Sequence, residues 1–260
     1  GSGDITVVNG EVVVDPAVTS ITDSPTFDVQ QRFTGTDGSG SGSTLGNDAG
    51  WRILTSPRAG TTSDAFNNLQ DASSGSILYT WDGANQEFVA AAPGTSTAIP
   101  EGEGFFLYLF DIDDAITSTP SDGCTTGDAC VGVSGALDDA TNGFSLGDVT
   151  VDIPASDNAT ATEAGYVLGN PFAQSFALSN LTLDDGSGAQ VSLGNAGLFQ
   201  ATVQAWNPNS NTFKLLTSGM DDVAPWQGFW VLREPNAPIA SATLTFESAG
   251  RTSGAPYIPA

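Results

Sequence analysis

The sequence IPEGEGFFLYLF, at residues 99–110, recurs in altered form as VAPWQGFWVLR at residues 223–233. Upstream of each copy lies a second matching pair, ILYTWDGANQEF at 77–88 and TVQAWNPNSNTF at 202–213. The glycine-aromatic step that starts at Gly104 recurs 124 residues later, and the Trp and Phe of the upstream pair recur 125 residues later. A repeat of this length predicts two copies of one supersecondary unit.

Each copy contains a further strand before these segments. GWRIL at 50–54 ends at Ser56-Pro57, and its second copy, GYVL at 165–168, ends at Asn170-Pro171. Proline cannot donate to a sheet ladder, so each strand stops or turns there. The last strand of each copy is apolar at every position, which predicts burial on both of its faces.

Composition favours short strands joined by turns. The chain of 260 residues has 31 glycines and only 14% charged residues, and beyond a short candidate helix at 63–72 it lacks sustained helical periodicity. We therefore predict an all-β fold of two pseudo-repeated antiparallel β-sandwich lobes, jelly-roll-like, with an N-terminal β-hairpin and an extended C-terminal tail. The predicted boundaries are 1–26 for the hairpin, 27–118 for the first lobe, 119–143 for an Asp/Gly-rich linker, and 144–260 for the second lobe and tail.

The hairpin prediction rests on ITVV-NG-EVVV at residues 5–14, because Asn-Gly between β-branched runs favours a type I′ turn. These strands have two equally open roles: an edge pair of their own domain, or a donor that adds to a sheet edge of the next molecule. The C-terminal tail is a second candidate donor. The candidate assembly residues are Ile5, Val7, Val12, Val14, Tyr257 and Ile258.

The charge balance is strongly acidic, with 30 Asp and Glu against 6 Lys and Arg and a net charge of −24. Such a chain is repelled by nucleic acid and by anionic membranes, and no apolar run is long enough to insert into a bilayer. It fits a surface that stays soluble at high salt, or one that binds cations. Calcium is the sharper chemical possibility, with Asp111, Asp113 and Asp114 as candidate ligands; acidic turn residues are the plainer interpretation.

Catalytic groups are scarce. The sequence has no histidine, which removes the commonest general base and any Ser-His or Cys-His nucleophile. We therefore predict that the chain is not an enzyme; a hydrolase would need a cleft holding two carboxylates. Cys124 and Cys130 lack partner ligands for zinc, so a disulfide in a small loop is the better interpretation. It implies an oxidising, extracellular setting.

The tryptophans divide into two groups. Trp81 and Trp206 occupy equivalent positions of the repeat, which favours shared core roles. Trp226 lies in the turn APWQG, and the equivalent position of the first copy has Glu or Gly. Trp226 is therefore the best candidate for an exposed, ligand-contacting aromatic.

In order along the chain, VQQRF, GWRILTSP, ILYTWDG, GEGFFLYLF with DIDD, GYVLGNPFA, VQAWNPNSNTF, APWQGFWVL and TFESAGRTSG resemble a repeat of secreted surface proteins of the Bacteroidota and Rhodothermota. The resemblance covers residues 27–254. Many such proteins leave the cell by type IX secretion, and the resemblance implies a non-catalytic, adhesin-type module. The family's sorting domain is not recognisable here, so a processed subunit or an excised module is expected.

The resulting expectation is a secreted structural or adhesive protein, a subunit of a cell-surface filament that assembles by strand exchange. Its partners would be other copies of itself or cell-surface components, with no nucleic acid and no membrane insertion. The alternative is a carbohydrate-binding or calcium-dependent adhesion module of a larger secreted protein.

Overall fold

The fold is nearly all β, which confirms the predicted fold class. The computed structural model describes residues 5–8, 11–14, 26–33, 50–69, 78–91, 96–109, 129–139, 141–155, 164–184, 190–195, 197–207, 210, 212–235, 237 and 241–255.

Eighteen strands are described, all in antiparallel pairings. In chain order they are β1 (Ile5–Val8), β2 (Glu11–Val14), β3 (Thr26–Phe33), β4 (Gly50–Thr55), β5 (Leu78–Asp82), β6 (Glu87–Ala91), β7 (Gly104–Leu109), β8 (Ala129–Ala136), β9 (Val149–Ile153), β10 (Gly165–Gly169), β11 (Phe176–Ala177), β12 (Leu181–Asp184), β13 (Gln190–Ser192), β14 (Phe199–Asn207), β15 (Thr212–Thr217), β16 (Asp222–Val223), β17 (Gly228–Arg233) and β18 (Ala242–Phe246). The described helices are short 3-10 turns at Ser63–Leu69, Leu178–Asn180 and Ser248–Gly250. None of these described helices has the length and apolarity that crossing a bilayer requires.

The second lobe is a sandwich of two four-stranded sheets. One sheet has the order β10-β17-β14-β15 and the other β13-β12-β18-β9. Alternating side chains of both sheets, such as Val151, Leu183 and Val231, are buried between them in one apolar core. Because successive side chains of a strand point to opposite faces, this alternation produces the two-layer packing predicted from the sequence.

The first lobe has the same plan with a smaller second layer. The sheet β4-β7-β5-β6 packs on the two-stranded sheet β3-β8, and Val29 of β3 and Val133 of β8 are buried in the shared core. Strand β8 lies in the segment that the sequence analysis placed in a linker over 119–143. It belongs to the first lobe because all eight of its residues pair with β3.

The two larger sheets are copies of each other in register as well as in order. Ile53 pairs with Phe106 in the first copy as Val167 pairs with Trp230 in the second. This register makes Trp51, opposite Tyr108, the counterpart of Gly165. Gly50 is therefore not the counterpart of Gly165, although each is the first residue of its strand. Aligning the two glycines would shift the register by one residue and move every side chain to the other face.

The two copies face each other across an aromatic interface. Ile53, Phe106 and Val167 are buried there. Tyr79, Trp81, Trp206 and Trp230 pack against them partly buried. Strand β7 is thus covered on both faces, with Phe105 and Leu107 in the core of the first lobe and Phe106 at the interface. This confirms the prediction from its unbroken apolar run.

The predicted N-terminal hairpin is also present. Strands β1 and β2 pair antiparallel, with Ile5 opposite Val14 and Val7 opposite Val12. Among the described strands they pair with each other alone and form a separate two-stranded sheet.

Candidate functional site

An apolar cleft with a volume of about 350 Å³ lies between the two repeated sheets. Six of its seven lining side chains are aromatic, and they come from both copies of the repeat. The lining residues are Trp51, Ile53, Tyr79, Phe88, Phe106, Trp206 and Phe213. We call this feature the aromatic cleft.

The aromatic cleft has a buried floor and an exposed rim. Ile53 and Phe106 form the floor, at 2% and 9% exposure. The rim consists of Trp51, Phe88 and Phe213, which expose 40%, 53% and 44% of their surface. A contiguous exposed apolar patch of this kind is typical of an interaction site.

Edge-to-face ring contacts hold the walls. The ring of Phe88 lies 4.8 Å from that of Phe106, and the ring of Trp206 lies 5.0 Å from that of Phe213. On the first-copy wall, Trp51 contacts Tyr79 at 5.7 Å. Such contacts fix ring orientation beyond what burial alone supplies, so the walls are preformed.

At the other end of the interface, equivalent strands of the two copies are joined by hydrogen bonds. The indole Nε1 of Trp81 donates a hydrogen bond to the carbonyl oxygen of Gly165 at 2.8 Å. The amide of Gly165 in turn donates to Oε1 of Gln86 at 2.8 Å. A Cβ at position 165 would lie 2.9 Å from the ring of Trp230, so only glycine fits without a shift of that ring. We call this end the latch.

The aromatic cleft lies where the repeat would place a second contact equivalent to the latch. Trp206 is the counterpart of Trp81, and Trp51 is the counterpart of Gly165. The carbonyl of Trp51 accepts a hydrogen bond from its neighbour Arg52, at 3.2 Å. The buried Nε1 of Trp206 has no hydrogen-bond partner within the described part of the chain. An apolar cleft with one unused N–H donor results.

Two outer strands border the aromatic cleft. Strand β6 is last in its sheet and β15 is last in the other, with no described strand beyond either. Both carry exposed apolar side chains besides the rim, namely Val89 at 44% and Leu215 at 60%. Lys214, the one lysine of the chain, is exposed on β15. Exposed apolar edge strands are templates for pairing with another strand.

A second cavity, of about 330 Å³, lies beside the latch and includes three carboxylates, Asp82, Glu103 and Asp152. Asp82 accepts hydrogen bonds from the Asn85 amide and side chain, and these hold its pKa below the usual range. Asp152 accepts from the Thr243 hydroxyl at 2.8 Å.

Burial raises the pKa of Glu103 in the same cavity. Asp82 and Asp152 already accept hydrogen bonds from a turn and a neighbouring strand, so two of the three carboxylates in this cavity have structural partners. Within the described residues, no group of three or more His, Cys, Asp or Glu is placed to hold a metal ion.

Trp226 is not an exposed aromatic, and this prediction was wrong. Its side chain is 1% exposed and lies in the core of the first lobe, with its ring 6.3 Å from that of Phe66. It occurs at φ 64°, and its counterpart in the first copy, Gly102, also has a positive φ of 80°. The smaller second layer of the first lobe leaves room that this indole fills from the other copy.

Other predicted site residues lie outside the described part of the chain. These are the candidate calcium ligands Asp111, Asp113 and Asp114, the tail residues Tyr257 and Ile258, and Cys124. Cys130 is in β8, opposite Arg32. No disulfide occurs among the described residues, which leave out Cys124, so the disulfide and the calcium site stay predictions.

The aromatic cleft was not predicted from the sequence. The shared core role expected for Trp81 and Trp206 is seen in their packing against the same buried cluster, but within the described residues only Trp81 has a hydrogen bond for its indole N–H. A usable signal was present in EFVAA and TFKLL, where large apolar residues occur on both faces of a strand next to a polar turn. A strand inside a two-layer sandwich alternates apolar and polar residues, so this pattern indicates a second contact.

No family model, curated protein or solved structure matches the chain.

Proposed function

We propose that this chain is a non-catalytic structural or adhesive protein of the cell exterior, and that its copies associate by strand exchange. The supporting observation is the pair of apolar outer strands, β6 and β15, which border one cleft and expose Phe88, Val89, Phe213 and Leu215. A strand from another molecule that pairs with such an edge gains main-chain hydrogen bonds, and its side chains fill the adjacent pocket.

The N-terminal hairpin is the proposed donor. A two-stranded hairpin is marginally stable alone in water, and β1 and β2 form a sheet of their own among the described strands. Donation from the end of one molecule to the middle of the next is a head-to-tail contact. Contacts of this type do not close, so they grow fibres.

The chemistry of the chain supports a non-catalytic role. The sequence contains no histidine, and two of the three carboxylates of the second cavity are hydrogen-bonded by neighbouring residues. The extracellular setting rests on the resemblance to secreted surface proteins and on the disulfide predicted between Cys124 and Cys130.

Sedimentation velocity over a range of protein concentrations tests this proposal, with the full chain compared with a variant lacking residues 1–15. We expect the full chain to form a concentration-dependent series of oligomers and the shortened chain to remain monomeric. Equal assembly of the two proteins would show that the hairpin is not the donor.

Salt provides a second test, because chains of net charge −24 repel each other. Raising NaCl from about 0.1 to 1 M shortens the screening length from about 10 to 3 Å and should strengthen an apolar association. Association that weakens steadily with salt would instead indicate an interface made by ion pairs.

Carbohydrate binding is the alternative, and one observation favours it: the rim of the aromatic cleft exposes rings on which a sugar could stack. The seven described lining side chains, however, include no amide or carboxylate to bind sugar hydroxyls. A glycan array probed with and without calcium distinguishes the two functions, and an array without binding would eliminate this alternative.

A further inference from the structure

We infer that the aromatic cleft is the acceptor site for the N-terminal strands of a second copy, with apolar side chains of Ile5–Val8 or Glu11–Val14 entering it. This inference rests on the proposed function and identifies where on the molecule the strand exchange takes place.

The first reason is the chemistry of the aromatic cleft. Its seven described lining side chains carry no charge, in a protein of net charge −24. A neutral, apolar segment can therefore enter without desolvating a charge, whereas most of the acidic surface of a second copy cannot. Strands β1 and β2 meet this requirement, since Glu11 is the single charged residue in their sequences.

The second reason is the unused donor of Trp206. At the latch, the equivalent indole of Trp81 is satisfied by a backbone carbonyl, that of Gly165, at 2.8 Å. Trp206 Nε1 is buried without a partner in the described part of the chain, and an unpaired buried donor is costly. An extended strand presents a carbonyl at every residue, so it can supply the missing acceptor together with the apolar side chains.

The third reason is the surroundings of the aromatic cleft. No described strand pairs with the outer edge of β6 or of β15 beside the opening, and β15 carries the exposed Lys214. In a chain with six basic residues, this lysine places a positive charge next to the site where a strand containing Glu11 would lie. Charge complementarity of this kind sets orientation more than affinity.

The test measures self-association of the full-length chain by sedimentation velocity. Phe88→Asp and Phe213→Asp place a charge at the rim, and both side chains are about half exposed, so folding should be retained and can be checked by circular dichroism. Each variant loses an aromatic side chain that the incoming strand would cover, so association should weaken about tenfold or more. Met220→Asp is the control, because Met220 is an apolar side chain that is 84% exposed after the end of β15 and does not line the cleft. Its association should stay within about twofold of the wild type.

A milder variant, Trp206→Phe, removes the indole N–H and leaves an aromatic ring. It should weaken association about fivefold through the lost intermolecular hydrogen bond. An unchanged association constant would contradict the role of this N–H as a hydrogen-bond donor to the incoming strand.

Photo-cross-linking identifies the occupant. With benzoylphenylalanine in place of Phe88 in the full chain, mass spectrometry should find the cross-link on residues 1–16 of a second molecule. A cross-link to another surface of a second copy, to a segment of the same molecule or to a co-purified small molecule overturns the inference.

Two further outcomes distinguish the acceptor site from the strand exchange itself. If Val7→Asp in β1 abolishes association while both rim variants associate normally, strand exchange stands and the aromatic cleft is not its acceptor. If the wild-type chain stays monomeric at all concentrations, both are wrong.

Discussion

The two ends of the contact between the repeated sheets are made of equivalent strands and behave differently. At the latch, Gly165 leaves room for the ring of Trp230, which contacts Trp81, and the Gly165 carbonyl accepts the hydrogen bond of the Trp81 indole. At the other end Trp51 occupies the equivalent position, and Trp206 lines an opening without a hydrogen-bond partner among the described residues. The presence or absence of one side chain thus separates a structural contact from a candidate binding site.

A second pair of equivalent positions differs in the same way. The turn before β7 has Gly102 and the turn before β17 has Trp226, and each reaches across to the other copy. The amide of Gly169 donates to the carbonyl of Gly102 at 2.9 Å, and that of Thr55 donates to the carbonyl of Trp226 at 3.1 Å. The backbone contact is therefore symmetrical, while only the tryptophan contributes a side chain to the core of the opposite lobe.

The largest expected effect is at this turn. Trp226→Ala should lower the free energy of unfolding by about 3–5 kcal/mol, because it empties the space of a fully buried indole. Since the indole belongs to one copy and the core to the other, both lobes should lose stability together. Urea denaturation followed by circular dichroism measures the change.

The matched variant is Gly102→Ala. Its Cβ would lie 2.6 Å from Cγ2 of Val151, and the positive φ adds strain, so a loss of about 1–3 kcal/mol is expected. A smaller loss at Trp226 than at Gly102 would contradict the assignment of the indole to the core of the first lobe.

The next effect compares Glu101 with its counterpart, the buried Pro225. Burial raises the pKa of Glu101 from 4.5 to about 7, partly offset by a hydrogen bond with Ser145, and its Oε1 has no hydrogen-bond partner among the described residues. The folded chain then holds this proton more tightly than the unfolded chain. Stability should fall as pH rises from about 4.5 to 7 and then level off.

Glu101→Gln removes this contribution. The variant should be more stable than the wild type at pH 8, by up to about 3 kcal/mol, and show little gain at pH 4. Denaturant midpoints of both proteins at the two pH values measure it. The comparison of variant with wild type cancels the general effect of acidic repulsion, and an equal gain at both pH values would mean that Glu101 titrates normally.

The latch is tested by Gly165→Ala. The added methyl group would lie 2.9 Å from the ring of Trp230, and repacking should cost about 1–3 kcal/mol. Trp51→Ala, at the equivalent position, removes a side chain that is 40% exposed and should leave the interface in place. Thermal unfolding compares the loss of stability of the two variants. An unchanged stability of Gly165→Ala would mean that the latch has room for a side chain at position 165.

The smallest effect separates the two indoles. Trp81→Phe loses the hydrogen bond to Gly165 and should cost about 1 kcal/mol, whereas Trp206→Phe removes a donor without a described partner and should be neutral or slightly stabilising in the monomer. Denaturation at low protein concentration keeps association out of the measurement. Equal losses for both variants would mean that the two ends are alike.

The sequence predicted the elements of this fold well because their signals are local. Asn9-Gly10 marked the N-terminal turn, the prolines after β4 and β10 marked strand ends, and the unbroken apolar run of β7 indicated burial on both faces. The segment of β8 was taken for a linker, since its glycines and its Asp-rich surroundings are typical of loops. The residues of β3 with which β8 pairs lie about a hundred positions earlier in the chain, so the local sequence pattern does not indicate this pairing.

The candidate site was not predictable in this way. From the sequence, Trp226 is an aromatic in a polar turn, which indicates exposure, and Trp206 is a repeat of Trp81, which indicates an equal role. The first inference was wrong and the second held only for packing, because a side chain's surroundings depend on what the opposite copy places there.

The sequence by itself thus determined an all-β chain with a duplicated unit, since strand periodicity and turn chemistry are properties of neighbouring residues. The tertiary structure decided which end of the duplication closes and which opens. That difference arises because the shared register places Trp51 at the position that Gly165 occupies in the other copy, and register is fixed by the packing of whole sheets.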